Sequence, residues 1–150
     1  MSPEQNFLYE KTRNFCEYQE RCIYDVKKKL QLWKATDTTI EKIITQLEKD
    51  DFINEERFAV SFAVGKLRNN KWGRTKIFYA LSQKHIPEIY IQMGLNEIDE
   101  EEYMATLKYI LNSKNISEKD DFKRKAKLVK YAQQKGFQPS LVWKVLNGEI

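Results

Sequence analysis

The stretch Lys66–Lys84, KLRNNKWGRTKIFYALSQK, carries six cations: Lys66, Arg68, Lys71, Arg74, Lys76 and Lys84. No acid occurs between Glu56 and Glu88, although the rest of the chain mixes both signs. Cations without countercharges, with aromatics and a turn among them, suit an anionic partner. The bland reading of the same residues is the solvated ends of two helices. Arg68, Lys71, Arg74 and Lys76 bracket the Trp72-Gly73 turn, where side chains and a helix end can meet phosphate together. Trp72 can stack on a base, but a tryptophan at a helix junction more often fills the seam between modules.

A second basic patch lies at Lys123, Arg124, Lys127 and Lys130. At 100° per residue, Lys123, Lys127 and Lys130 share one face of a helix, while Phe122, Ala126, Leu128, Val129 and Ala132 occupy the other side. Such a helix is basic outward and apolar inward, which also describes an ordinary surface helix.

Other chemistry is hard to build. Asp99 to Glu102 begin a helix, where negative charge is favoured by the dipole. Asp50-Asp51 is turn chemistry. His85 is the single histidine and has no Ser, Cys or carboxylate constellation around it. Cys16 and Cys22 make neither a disulfide scaffold nor a metal set and read as inert thiols. No Gly-rich phosphate loop exists, so ATP binding is not expected. No catalytic residue, cofactor or metal is therefore assigned.

The net charge is +4 over 150 residues, too small to declare a nucleic-acid binder by itself. Basic and acidic side chains number 9 and 8 in residues 1–49, 7 and 8 in 50–100, and 10 and 6 in 101–150. The basic clusters are local. No apolar run approaches the roughly 18 residues of a membrane span, and no cleavable leader is visible. The expectation is a soluble, reduced, cytoplasmic, monomeric protein.

The elements that must position these residues are helices. Ser2-Pro3 starts one, Thr36 caps another and Asn54 a third. Asp99-x-x-Glu102 resembles a capping box, Ser117 is a further candidate cap, and Pro87 and Pro139 open short helices. Nine helices are predicted and no strand.

These helices repeat at an offset of 51 residues. Six apolar columns align: Phe7, Phe58 and Tyr109; Val26, Ile77 and Leu128; Leu30, Leu81 and Ala132; Ala35, Ile86 and Phe137; Ile40, Ile91 and Val142; Ile44, Leu95 and Leu146. All six are expected to be buried. The predicted fold is all-α: three tandem three-helix repeats, residues 1–49, 50–100 and 101–150, stacked into an elongated, curved array.

Asp51-Phe52-Ile53-Asn54-Glu55-Glu56-Arg57-Phe58-Ala59, Phe62, Lys66, Arg68, Lys71-Trp72-Gly73-Arg74, Lys76-Ile77, Ala80-Leu81, Lys84 and Ile86 carry a resemblance to the RecX regulators of bacterial RecA recombinase. Arg21, Val26 and Lys29-Leu30 resemble a second family segment. His85 departs from it, standing where the family usually has glycine, and Cys22 and Ile23 replace small and polar residues. The resemblance implies a protein without catalytic centre or cofactor that lies in the groove of the RecA–DNA filament. There it would dampen ATP hydrolysis and strand exchange, with its basic residues facing DNA phosphates or acidic RecA surface. The alternative is a helical DNA- or RNA-binding module that ignores RecA.

Overall fold

The structure, a computed structural model, describes residues 1–150. It contains nine α-helices and no strand: α1 (Pro3–Tyr18), α2 (Ile23–Leu32), α3 (Asp37–Lys49), α4 (Glu55–Gly65), α5 (Arg74–Gln83), α6 (Glu88–Asn96), α7 (Glu100–Ser113), α8 (Asp121–Gln134) and α9 (Pro139–Leu146). A π-helical turn, Lys66–Asn70, extends α4. No helix is long and apolar enough to cross a membrane. The accessible surface is 9346 Å², against roughly 8,000 Å² for a compact monomer of this mass. The excess fits an open array.

Local sequence sets the helix starts. Ser2 and Gln5 form a reciprocal capping box, and Thr36, Asn54 and Asp99 each accept a hydrogen bond from the third N–H of their helix. Ser117 does not cap α8. Asp120 does so, accepting from the Lys123 N–H at 2.8 Å, because Ser117 falls too far before the first turn.

Helix ends repeat more faithfully than helix starts. Lys34, His85 and Gly136, spaced 51 apart, are all left-handed, with φ of 62°, 58° and 100°. The next residues, Ala35, Ile86 and Phe137, donate their N–H groups back to Leu30, Leu81 and Ala132 at 3.0, 3.3 and 3.1 Å. This is one Schellman closure made three times. It turns each chain sharply, so that the third helix of each module packs across the second.

Burial follows the repeat with one column out of place. The Val26, Leu30 and Ile40 columns are buried in all three copies, and the Ala35 and Ile44 columns are buried or half-buried. The Phe7 column fails: Phe58 is buried, but Phe7 and Tyr109 are 66% and 58% exposed. In α1 the inward residues are Thr12 and Cys16, which sit 51 residues before the buried Ala63 and Leu67. Thr12 hides among apolar residues because its hydroxyl donates to the Leu8 carbonyl at 2.6 Å. A search for apolar columns passes over it.

The interior is divided. Cys16, Val26, Leu30, Ile40, Ile43 and Leu47 of the first module form one core with Ile53 just beyond it. The other 20 buried apolar residues form a second core that runs through the middle and last modules; from the first module Cys22 joins it and the half-buried Tyr24 packs against it.

The joint between the last two modules explains that continuity. α5 starts at Gly73 with no side-chain cap. Its first N–H groups are taken by the last module instead: Gly73 donates to the Lys135 carbonyl at 2.7 Å, Thr75 to the Gly136 carbonyl at 3.0 Å, and Arg74 to the Tyr103 hydroxyl at 3.0 Å. Two glycine backbones meet here. A Cβ on Gly73 would lie 2.3 Å from the Gly136 carbonyl carbon.

The corresponding joint between the first two modules has Cys22 and His85 in place of Gly73 and Gly136. Side chains hold it together. Lys84 pairs with Asp25 at 2.6 Å, Arg57 pairs with Glu20, and the Tyr24 and His85 rings lie 5.4 Å apart.

Candidate nucleic-acid and protein interface

The acid-free run splits into two groups once folded. Arg68 makes a two-pronged ion pair with Glu102, at 2.7 and 3.2 Å, and Arg74 reaches Glu100 at 2.7 Å. Both acids belong to α7, more than twenty residues ahead in sequence. The Arg74 side chain is only 20% exposed and lies over the Tyr103 ring, 4.3 Å from its centroid. Arg68 holds the Glu102 carboxyl below the ordinary carboxylate range. These two arginines link the middle and last modules. The α5 N-terminus, read from sequence as a place for phosphate, has its N–H groups occupied by the last module.

Lys66, Lys71 and Lys76 have no acidic partner and rest on aromatic rings. The Lys66 and Lys76 ammonium groups lie 4.8 and 4.7 Å from the Trp72 centroid, and Lys71 lies 5.2 Å from that of Tyr109. Trp72 is half-buried and meets Phe62 edge-on at 6.4 Å. It thus fills a seam, as expected of a tryptophan at a junction, yet it keeps cations at its ring. In α8, Arg124 pairs with Asp121 at 2.6 Å and Lys127 with Glu118 at 3.0 Å. Lys123 and Lys130 are exposed and carry no pair. Of the nine candidate cations, Lys66, Lys71, Lys76, Lys123 and Lys130 are therefore available to an outside anion.

This division carries a prediction. Arg74→Ala removes a half-buried stacking contact and hydrogen bonds to Glu100 and the Ile98 carbonyl, and is expected to destabilise the chain by about 1–2 kcal/mol. Arg68→Ala, on an exposed pair, is expected to leave the melting temperature unchanged. Thermal melting of the two single variants checks this.

Both thiols are free and buried. Burial pushes Cys16 up to about 11 and Cys22 to about 12. Glu55 is less expected. It opens α4 at the first joint, and its Oε2 is sealed from solvent without a hydrogen-bond partner. Burial raises its pKa from 4.5 to about 7. The Ile23 N–H opposes that shift, while the Glu48 and Asp25 charges add to it. At the next joint Tyr103 touches the matching helix start without a charge. A carboxyl with a raised pKa holds its proton in the folded state after the unfolded state has lost it. Stability is therefore expected to fall as pH rises from about 4.5 to about 7 and to level off above. Glu55→Gln should flatten that slope and be the more stable protein at pH 8, as denaturant titrations across pH would show.

Comparison with known proteins places this architecture. Residues 54–95 match the second three-helix domain of RecX, and residues 100–146 match the third. The regulatory protein RecX of Clostridium acetobutylicum is 32% identical over 152 residues, covering 96% of this chain and 70% of that protein. The chain belongs to the RecX family. The regulatory proteins RecX of Streptococcus uberis and Clostridium tetani are both 34% identical, over 87% and 85% of this chain. The chain spans 49% and 59% of their lengths. Among solved structures, a regulatory protein RecX superposes with a TM-score of 0.84 at 23% identity, covering 96% of this chain and 73% of that one. RecX from Lactobacillus salivarius superposes at 0.79 and 19% identity, covering 98% and 99%. At these identities the structures speak for the fold.

Membership gives the departure at His85 a physical meaning. The position needs a left-handed backbone, which glycine adopts without strain and histidine enters at a small cost. The fold also adds residues from outside the acid-free run to this surface. Lys84 and Tyr24 lie across the first joint from each other, and Lys27 and Lys28 extend the basic surface beyond them. Only the fold brings residues of α2 and α5 together. The one sequence signal was the 51-residue phase, which makes Cys22 and Gly73 equivalent joint positions.

Proposed function

We propose that this protein regulates RecA by binding in the groove of the RecA–DNA filament and damping its ATP hydrolysis and strand exchange, without chemistry of its own. The carrying observation is the match, over 96% of this chain, to a protein named regulatory protein RecX. The open three-module array supports the reading, since helical repeats offer extended surfaces to large partners. So do the lysines left without acidic partners. The protein acts as a monomer in the cytoplasm, where such filaments form, and Lys66, Lys71, Lys76, Lys123 and Lys130 meet DNA phosphate or RecA carboxylates. Arg68, Arg74, Arg124 and Lys127, committed to internal pairs, stand at the edge of that surface and contribute to its potential.

RecA's DNA-dependent ATP hydrolysis is the test. Added protein is expected to suppress it at ratios well below one per RecA monomer. No change there and none at saturation would overturn the proposal. Salt-steep binding to bare DNA without any effect on filaments would favour the rival, a nucleic-acid-binding module indifferent to RecA.

A further inference from the structure

A cleft of about 510 Å³ opens along the first joint, between α1 and α2 on one side and α4 and α5 on the other. Tyr24, Phe62 and Trp72 line it, with Lys66 and Lys84 at its edges. Lys76 is not part of the lining but reaches the Trp72 ring from α5. Asp25 is the one acid lining the cleft, and Lys84 neutralises it; Glu20, in the neighbouring hollow beside Phe58 and Phe62, is paired with Arg57. A second hollow continues past Tyr24 and Lys84, where Lys27 and Lys28 stand, with Glu55 as its single acid. Aromatic rings thus alternate with cations along a path that crosses from one module to the next.

We infer that this cleft is a binding site for single-stranded nucleic acid, with one unpaired base seated against Trp72 and Phe62 and its flanking phosphates on Lys66 and Lys76. The inference rests on the proposed action at a DNA filament and names where the strand is held. Its chemistry follows from the lining. A duplex keeps its base faces stacked inside and offers nothing to an indole. An acidic peptide would satisfy the lysines but leave the aromatic surface without a flat apolar partner. An unpaired nucleotide supplies both a planar face and an adjacent anion. Lys66 and Lys76 already lie at the Trp72 ring with no carboxylate holding them, so each can swing to a phosphate while a base replaces it on the indole. The joint itself is made of side-chain pairs rather than backbone contacts, which leaves the cleft free to adjust its width.

Binding of bare oligonucleotides, without RecA, tests this separately from the regulatory proposal. The probes are a labelled fifteen-residue thymidine strand, the same length of abasic strand, a duplex and a poly-glutamate chain. The wild-type protein is expected to bind the thymidine strand at least fivefold more tightly than the abasic strand. Trp72→Leu, which keeps an apolar side chain in the seam, should erase that preference while retaining binding to the abasic strand. Lys66→Ala with Lys76→Ala should weaken both single strands about tenfold and reduce the salt slope by about 1.4. Lys11→Ala with Lys42→Ala, far from the cleft, should change nothing. Phe62→Leu is a second route to the preference should Trp72→Leu lower the melting temperature. Equal affinity for thymidine and abasic strands, or poly-glutamate binding as tightly as either, would overturn the assignment. So would a base preference that survives in both ring variants. Loss of RecA inhibition with oligonucleotide binding intact would refute the regulatory reading and leave the cleft assignment standing.

Discussion

Gly73→Ala is expected to destabilise the protein by on the order of 3–5 kcal/mol, close to 10 °C in melting temperature for a chain of this size. Its new methyl would sit 2.3 to 2.5 Å from the carbonyl group of Gly136 and the nitrogen of Phe137. These are backbone atoms with no rotamer to yield. Relief requires the last module to move off the α5 N-terminus. That motion breaks the bonds from Gly73 to Lys135 and from Thr75 to Gly136, and it leaves helix-end donors without partners at a buried seam. Gly65→Ala is the matched control, because its methyl would meet nothing nearer than the Asn69 amide at 3.9 Å. In a helix interior that change is neutral or mildly stabilising. Thermal melts of the two variants within a degree of each other would show that the joint tolerates a wider spacing than its hydrogen bonds suggest.

Gly73 also shows which part of the fold was legible beforehand. The 51-residue phase could be read from Val26, Ile77 and Leu128 and from Ile40, Ile91 and Val142, because a core position must be apolar in every copy. The nine helices followed from apolar residues at three- and four-residue steps together with caps and prolines, signals that act within a few residues. The joints did not follow, because they are made by residues far apart in sequence. Nothing near Arg68 announces Glu102, and nothing near Gly73 announces Lys135. The candidate site suffered most from this. A run without local acids looks unneutralised, yet a later helix supplied the acids to Arg68 and Arg74, an earlier one supplied Asp25 to Lys84, and only Lys66, Lys71 and Lys76 were left alone. Guanidinium suits this use, since its planar fork matches a carboxylate. The first apolar column failed for a different reason. Thr12 is polar by type and buried by circumstance, its hydroxyl satisfied one turn back on its own helix.

The divided interior makes the remaining large prediction. Phe137→Ala is expected to cost about 3–5 kcal/mol, and Leu30→Ala about 2–5 kcal/mol, but the two losses should appear in different places. Phe137 is fully buried against Tyr103, with ring centroids 5.0 Å apart, inside the core shared by the middle and last modules. Its removal withdraws packing from both, so amides of α5 and α8 should lose protection from hydrogen exchange together and by similar free energies. Leu30 is buried in a core built from the first module and closed by Ile53 just beyond it. Its removal should expose amides of α2 and α3 to exchange while α5 and α8 keep most of their protection. What joins the two bodies is chiefly the pairs Arg57–Glu20 and Lys84–Asp25, and partly exposed ion pairs couple stability weakly. Apolar contact passes across mainly at Cys22, Tyr24 and Ile53, which limits how far the first module's loss can spread. Equal loss of protection in α2 and α8 after Leu30→Ala would mean that this limit is wrong and that the three modules fold as one unit. Confinement to α2 and α3 would mean that the first module can loosen while the cleft's far wall, built on α4 and α5, stays in place.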